Sequence, residues 1–133
     1  MIVIDSSALI NALVYPRPSR ELRQRLDGAE SVHAPHLLDL ELLHVLRRLV
    51  RAGKLSDDRA DDVRRDVATL AMSRYPHEGL VDRVWALRHN FTAYDAAYIA
   101  LSEMLGMPLV TSDTRIASAS RQHQAQIELY PFG

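Results

Sequence analysis

The chain contains no cysteine, which excludes a disulfide framework, a thiol nucleophile and a zinc site built on thiolates. A cytoplasmic location fits that absence. A basic leader is also missing: the opening apolar run Met1-Ile2-Val3-Ile4 is broken by Asp5, and nowhere do as many as about 18 uncharged apolar residues follow one another. Neither secretion nor membrane spanning is expected. Internal repeats, low-complexity tracts and linkers are absent too, so a single domain is expected to fill all 133 residues. Lysine is nearly missing, with Lys54 alone against 15 arginines.

What is present is an ordinary globular composition, 47% hydrophobic and 25% charged, with a net charge of −1. Bulk electrostatics therefore do not announce a nucleic-acid partner. The distribution of charge is more informative, because arginines cluster at Arg17, Arg20, Arg23 and Arg25 and again at Arg47, Arg48 and Arg51. A guanidinium grips phosphate through two parallel hydrogen bonds, so Arg17, Arg20, Arg47, Arg48 and Arg51 are candidate contacts to a nucleic-acid backbone. The same residues also suit solvated helix faces and helix C-termini without any ligand.

Apolar periodicity, punctuated by Pro16, Pro18, Gly28, Pro35, Gly53, the stretch 76–79, Gly106 and Pro108, divides the chain into alternating strands and helices. Strands are predicted at 1–4, 31–34, 72–75, 108–111 and 126–130. Helices are predicted at 7–14, 19–27, 36–52, 56–71, 79–89, 94–105 and 114–121. Alternation of this kind implies parallel pairing through right-handed crossovers, and hence an α/β three-layer sandwich with a short central parallel sheet flanked by helices. The helix over 36–52 is apolar around much of its circumference, which predicts a central position or a dimer interface.

Against this frame four acids stand out. Asp5 closes the first strand, Asp113 follows the strand at 108–111, Asp95 opens a helix, and Glu41 lies inside Leu37-Leu38-Asp39-Leu40-Glu41-Leu42-Leu43. Ligands of open parallel sheets bind beyond the carboxyl ends of the strands, which is the rim where Asp5 and Asp113 fall. Carboxylates crowded there repel unless a cation joins them, and a hard divalent ion such as Mg²⁺, held by oxygen and acting on phosphate, is the usual answer. The pattern reads as a metal-dependent nuclease. Ser6 and Thr111, beside these acids, are candidates to orient them.

Plainer roles compete with these. Asp5 and Asp113 are each placed to cap the following helix, although Ser6, Ser7, Thr111 and Ser112 offer alternatives, and Thr92 is a competent cap for the helix that carries Asp95. Residues two apart on a helix point about 200° away from each other, so at most one of Asp39 and Glu41 faces the site. Glu41, with apolar neighbours, is the choice, leaving Asp39 facing solvent. His33 and His36 have no shared helical face and no HExxH pattern, so structural or surface roles are expected. Tyr94, Tyr98 and Leu101 follow helical spacing and are expected in the core, and Trp85 is expected to pack as well.

The four segments Ile4-Asp5-Ser6-Ser7-Ala8-Leu9, Pro35 through Arg48, Thr92 through Leu101 (with Tyr94-Asp95-Ala96 and Tyr98) and Leu109-Val110-Thr111-Ser112-Asp113 together resemble the PIN-domain ribonucleases, specifically the VapC-type toxins of bacterial toxin–antitoxin pairs. The likeness covers essentially the whole chain. It implies that Asp5, Glu41, Asp95 and Asp113 form an acidic pocket binding Mg²⁺ or Mn²⁺, supported by Ser6 and Thr111. It further implies RNA as substrate, a homodimer, and an antitoxin protein that blocks the pocket.

Two rivals are weighed beside it. Phosphotransfer through an aspartyl phosphate wants a lysine near the strand ends, but Lys54 is predicted between two helices, and position 7 is serine where a dehalogenase-like pair wants a second aspartate. The alternative within the same fold is a catalytically inactive module that binds RNA or a partner. A purely RNA-binding surface gains nothing from four phosphate-repelling acids.

Overall fold

Ile2–Ile4 (β1), Val32–Pro35 (β2), Met72–Tyr75 (β3), Leu109–Thr111 (β4) and Ile127–Leu129 (β5) form one sheet in the computed structural model, which describes residues 1–15, 19–119 and 123–132. The strands lie in the order β3-β2-β1-β4-β5, and every pairing is parallel. Ile2, Val3, Ile4, Leu109 and Val110 are all buried. That is why these segments read as unbroken apolar runs rather than alternating ones: a parallel strand is covered on both faces.

The helices are Ser6–Leu13 (α1), Arg20–Asp27 (α2), Leu37–Arg51 (α3), Asp57–Thr69 (α4), Val81–Ala86 (α5), Ala93–Leu105 (α6) and Thr114–Ser118 (α7). Their starts are set by short polar side chains. Ser19, Ser56 and Thr92 accept from the backbone N–H groups of Leu22, Arg59 and Asp95, satisfying donors that the first helical turn leaves unpaired. The end of α6 is set by Gly106, which takes the left-handed conformation at φ 64° and turns the chain into β4.

Right-handed crossovers place α1 to α4 on one face of the sheet, because β1, β2 and β3 step in one direction, and α5 to α7 on the other, because β4 and β5 step back. Consistently, α3 packs on α1 and α4, whereas α6 lies across β1, β2 and β4 and against α5. The core is contiguous. Leu38, Leu42 and Leu46 line one stripe of α3, and Ala96, Ala97, Ile99, Ala100 and Leu101 of α6 fill the opposite face.

The helix expected over 79–89 is instead a 3₁₀ turn, Glu78–Leu80, followed by the short α5. The Leu80 N–H bonds to the His77 carbonyl three residues back, which tightens that turn below α-helical pitch. The helix expected over 114–121 stops at Ser118, and residues 120 and 121 lie outside those described.

Three side chains depart from expectation. Asp39 does not simply face solvent, since Arg74 of β3 donates to both its oxygens at 2.7 and 3.0 Å. Tyr94 and Trp85 are not core residues, being 64% and 67% exposed. Tyr94 stands in the open first turn of α6, ahead of the buried part of that helix, and Trp85 stacks at the surface of α5 beneath the Arg88 guanidinium at 4.4 Å. Tyr98 and Leu101 are buried as expected. His33 is buried and bonded to Ser31 and Tyr75, while His36 sits at the surface.

Candidate active site

The winding of the sheet reverses between β1 and β4, and the carboxyl ends of such a strand pair are where a parallel sheet forms its ligand-binding crevice. Asp5 leaves β1 directly into this crevice, and its carboxylate also caps α1, so the capping role and the site position coincide in one residue. Its Oδ1 accepts from the Ala8 N–H at 2.9 Å and from the Ser7 hydroxyl at 2.7 Å, while Oδ2 accepts from the Thr111 hydroxyl of β4. The side chain is only 3% exposed. Burial pushes its pKa from 3.8 up to about 6, against the pull of these three hydrogen bonds, and the nearby charge of Asp113 adds to the rise.

Thr111 and Ser7 act as a clasp. The Thr111 hydroxyl accepts from the Asp113 N–H at 3.0 Å, and Ser7 accepts from the Ser112 N–H at 2.9 Å, so both chains leaving the sheet are tied to the same carboxylate. Asn11, one turn further along α1 and buried, donates to the Ser112 hydroxyl at 3.0 Å and holds the loop from beneath.

Asp95 occupies the first turn of α6, where Thr92 caps the helix. Its carboxyl is pushed upward first by burial and then by the charge of Asp113. Asp113 caps α7 and is held below the usual carboxylate range, chiefly by hydrogen bonding to Arg115. Glu41 enters from α3. Its Oε1 accepts from the Tyr98 hydroxyl of α6 and, at 3.2 Å, from the Ser6 hydroxyl of α1. Burial, followed by the charge of Glu41 and a smaller effect of Asp5, raises the Tyr98 phenol, which therefore stays protonated as a donor.

The four acids thus share one electrostatic neighbourhood: Asp113 acts on Asp5 and Asp95, and Tyr98 feels both Glu41 and Asp5. Their donor set is all hard oxygen, and two of its carboxyls are raised by burial and by the neighbouring charge of Asp113, a donor chemistry that suits Mg²⁺ or Mn²⁺. Among the described residues, however, no three acidic or histidine side chains converge as a ready cation cage. Asp113 is engaged with Arg115, and Glu41 with Tyr98 and Ser6.

The arginines singled out from sequence are placed elsewhere. Arg17 lies outside the described residues, and Arg20 is exposed at the start of α2. Arg47, Arg48 and Arg51 lie 6 to 10 residues beyond Glu41 on α3, roughly 9 to 15 Å along the helix axis. There Arg47 and Arg51 flank a groove with Leu43, Leu46 and Val50 of α3 and Asp61 and Arg64 of α4. Sequence reasoning missed Ser7, Asn11, Tyr98 and Arg115 as parts of the site. Tyr98 carried a usable signal, because it stands one helical turn after Asp95 and shares its face.

With this geometry in view, the comparison with known proteins is direct: the PIN domain matches residues 2–122. The chain belongs to the PIN-domain family. Within it, the relatives are VapC ribonucleases. Ribonuclease VapC9 of Mycobacterium tuberculosis is 42% identical over 134 residues, covering 98% of this chain and 99% of that protein. Ribonuclease VapC1 of the same organism is 40% identical over 118 residues, covering 88% and 89%. Solved structures repeat the PIN fold at low identity. FitAB bound to a DNA fragment has a TM-score of 0.71 at 16% identity, covering 97% of this chain and 94% of that one. A toxin–antitoxin complex from Klebsiella pneumoniae has a TM-score of 0.66 at 15% identity, with 96% of each chain covered. In this PIN domain Asp5 follows β1 and Asp113 follows β4, the two strands between which the winding reverses, while Glu41 stands on α3 and Asp95 on α6.

Proposed function

We propose that this VapC-family ribonuclease is a Mg²⁺- or Mn²⁺-dependent endoribonuclease acting as the toxin of a toxin–antitoxin pair. The observation that carries the reading is that Asp5, buried and with its pKa lifted to about 6, leaves β1 at the sheet's reversal point, where the charge of Asp113 reaches both it and Asp95. A divalent ion, when bound, lowers the pKa of a coordinated water and offsets charge on the phosphate oxygens. Asp5, Asp95 and Asp113 are the carboxylates that would hold it. Asp5 is pre-set for this by three donors that fix its plane, with Thr111 among them. Glu41 has Oε1 committed to Tyr98 and Ser6, and its Oε2 is left to orient a water.

Sequencing of RNA 5′ ends after expression of the wild type and of the Asp5→Asn variant tests the activity and reveals the target together. New 5′ ends present only with the wild type support the reading. Identical end profiles would sink it.

Tyr98→Phe is expected to keep the fold while releasing Glu41, lowering the cleavage rate about ten-fold, as is usual when the partner orienting a metal-site carboxylate is lost. Rates measured at saturating Mg²⁺ check this. Asp39 provides the contrast. Its pair with Arg74 is partly exposed, so Asp39→Ala is expected to cost at most about 1 kcal/mol of stability and to leave cleavage within about two-fold of wild type, whereas Glu41→Ala abolishes it. Equal losses from both would move the acid on α3 by two positions.

The same reading extends to partners. The likeness to a toxin–antitoxin complex supports a protein antitoxin that covers the pocket. A homodimer is supported by an apolar groove of about 370 Å³ lined by Leu37, Val81, Val84, Trp85, Tyr94 and Ala97, where Trp85 and Tyr94 lie open to solvent. No helix among the described residues is long and apolar enough to cross a membrane, and the proposed place of action is the cytoplasm, where RNA is at hand.

A further inference from the structure

Arg115 is the cation that the structure sets against the acids of the crevice. Its Nε donates to Asp113 Oδ1 at 3.2 Å and its Nη2 to Oδ2 at 2.8 Å, so the guanidinium fork takes both oxygens of one carboxylate. Its backbone N–H adds a third bond to Oδ1 at 2.9 Å. The positive charge reaches Asp95 as well. The two partners differ in freedom, since the Asp113 side chain is 17% exposed and that of Arg115 is 79% exposed. An arginine so solvated leaves its partner at little cost, while the carboxylate stays where α7 and Thr111 hold it.

We propose that Arg115 is a built-in counter-ion which holds the place of the divalent cation against Asp113 and Asp95, is displaced when that cation enters, and then turns its guanidinium to a phosphate oxygen of the bound strand. This rests on the metal-dependent reading given above. The fork already engages both oxygens of Asp113, so a cation reaching that carboxylate must take the place of the guanidinium. It also supplies what the arginines along α3 do not, a phosphate-binding group beside the acids. A guanidinium matches the two non-bridging oxygens of a phosphodiester as well as it matches a carboxylate, so the same side chain serves both states. Arg115 is in this sense a positioning residue for metal loading and a binding residue for substrate.

Titration of the whole protein with Mn²⁺ alone, by calorimetry, separates the possibilities in wild type, Arg115→Gln and Arg64→Gln. Arg64 pairs with Asp61 on α4 and serves as a control for the loss of one positive charge far from the crevice. Removing a unit charge next to the ion is expected to tighten Mn²⁺ binding roughly three- to ten-fold in Arg115→Gln and to leave Arg64→Gln unchanged. In cleavage assays at saturating Mn²⁺, Arg115→Gln is expected to raise KM for RNA by about ten-fold with kcat within a few-fold of wild type. Unchanged or weaker Mn²⁺ binding in Arg115→Gln, or equal tightening in Arg64→Gln, overturns the counter-ion role. Tighter Mn²⁺ binding with an unchanged KM overturns the transfer to phosphate. A wild type that binds no Mn²⁺ instead sinks the metal-dependent reading itself and this inference with it.

Discussion

Asp5→Asn is expected to melt at a higher temperature than the wild type in EDTA at pH 8, while losing at least about a hundred-fold in RNA cleavage when Mg²⁺ is supplied. The two effects share one cause. Burial raises the folded-state pKa of Asp5 to about 6, above the unfolded value of 3.8, so the folded protein binds the extra proton more readily than the unfolded chain does. Stability from this residue is therefore greatest below about pH 4 and is lost as pH rises through about 6. The full penalty above that pH, at ~1.4 kcal/mol per pH unit, is roughly 3 kcal/mol.

Asparagine removes the charge and keeps the geometry. It is among the best N-cap residues, its carbonyl oxygen accepts from Ala8 and Ser7 as the carboxylate does, and its amide can donate to the Thr111 hydroxyl. Some hydrogen-bond strength is lost, so the net gain is about 1 to 3 kcal/mol, or several degrees in Tm. Thermal melts of both proteins from pH 4 to pH 8 check the sign: the advantage of the variant should grow with pH and vanish near pH 4. A wild type that is the more stable of the two throughout would show that the Asp5 charge is already compensated. Saturating Mg²⁺ should narrow the gap at pH 8, because an ion bound only by the folded wild type stabilises it by mass action.

Ile99→Ala is expected to give the largest loss of stability among single changes in α6. Ile99 is fully buried in the helix that lies across β1, β2 and β4. Truncating a buried isoleucine to alanine typically costs 2 to 5 kcal/mol, the spread reflecting how far the surroundings collapse into the space. Here collapse is limited, since three strands of a paired sheet form the opposite wall and cannot shift without breaking their ladder. A value in the upper half of the range follows, lowering Tm by roughly 10 °C or more. Urea unfolding followed by circular dichroism measures it, and a cost below about 1 kcal/mol would mean that α6 does not seal the core.

The sequence disclosed the strands and most helices through their apolar patterns, and it placed Asp5 and Asp113 at strand ends because an acid terminating an apolar run is a local signal. Partnerships across the chain were not local. The pairing of Tyr98 with Glu41 spans 57 residues and that of Thr111 with Asp5 spans 106, and nothing in either neighbourhood advertises the other. Arg115 stands apart from the arginine clusters of the sequence, a lone arginine fixed by its near neighbour Asp113. The exposure of Trp85 and Tyr94 has a different origin: periodicity groups Tyr94 with Tyr98 and Leu101, but only the packing of other elements decides how far along the helix that stripe is covered. The break at Glu78–Leu80 likewise turns on one carbonyl choosing a partner three residues away rather than four.

The clasp of Thr111 and Ser7 over Asp5 carries a consequence for biosynthesis. Its halves, Ser7 and Thr111, lie 104 residues apart, so a ribosome must release everything through β4 before that strand can slot beside β1 and the clasp can close. A polypeptide still emerging holds its earlier acids unassembled, and the acidic rim is complete only once β4 has left the ribosome.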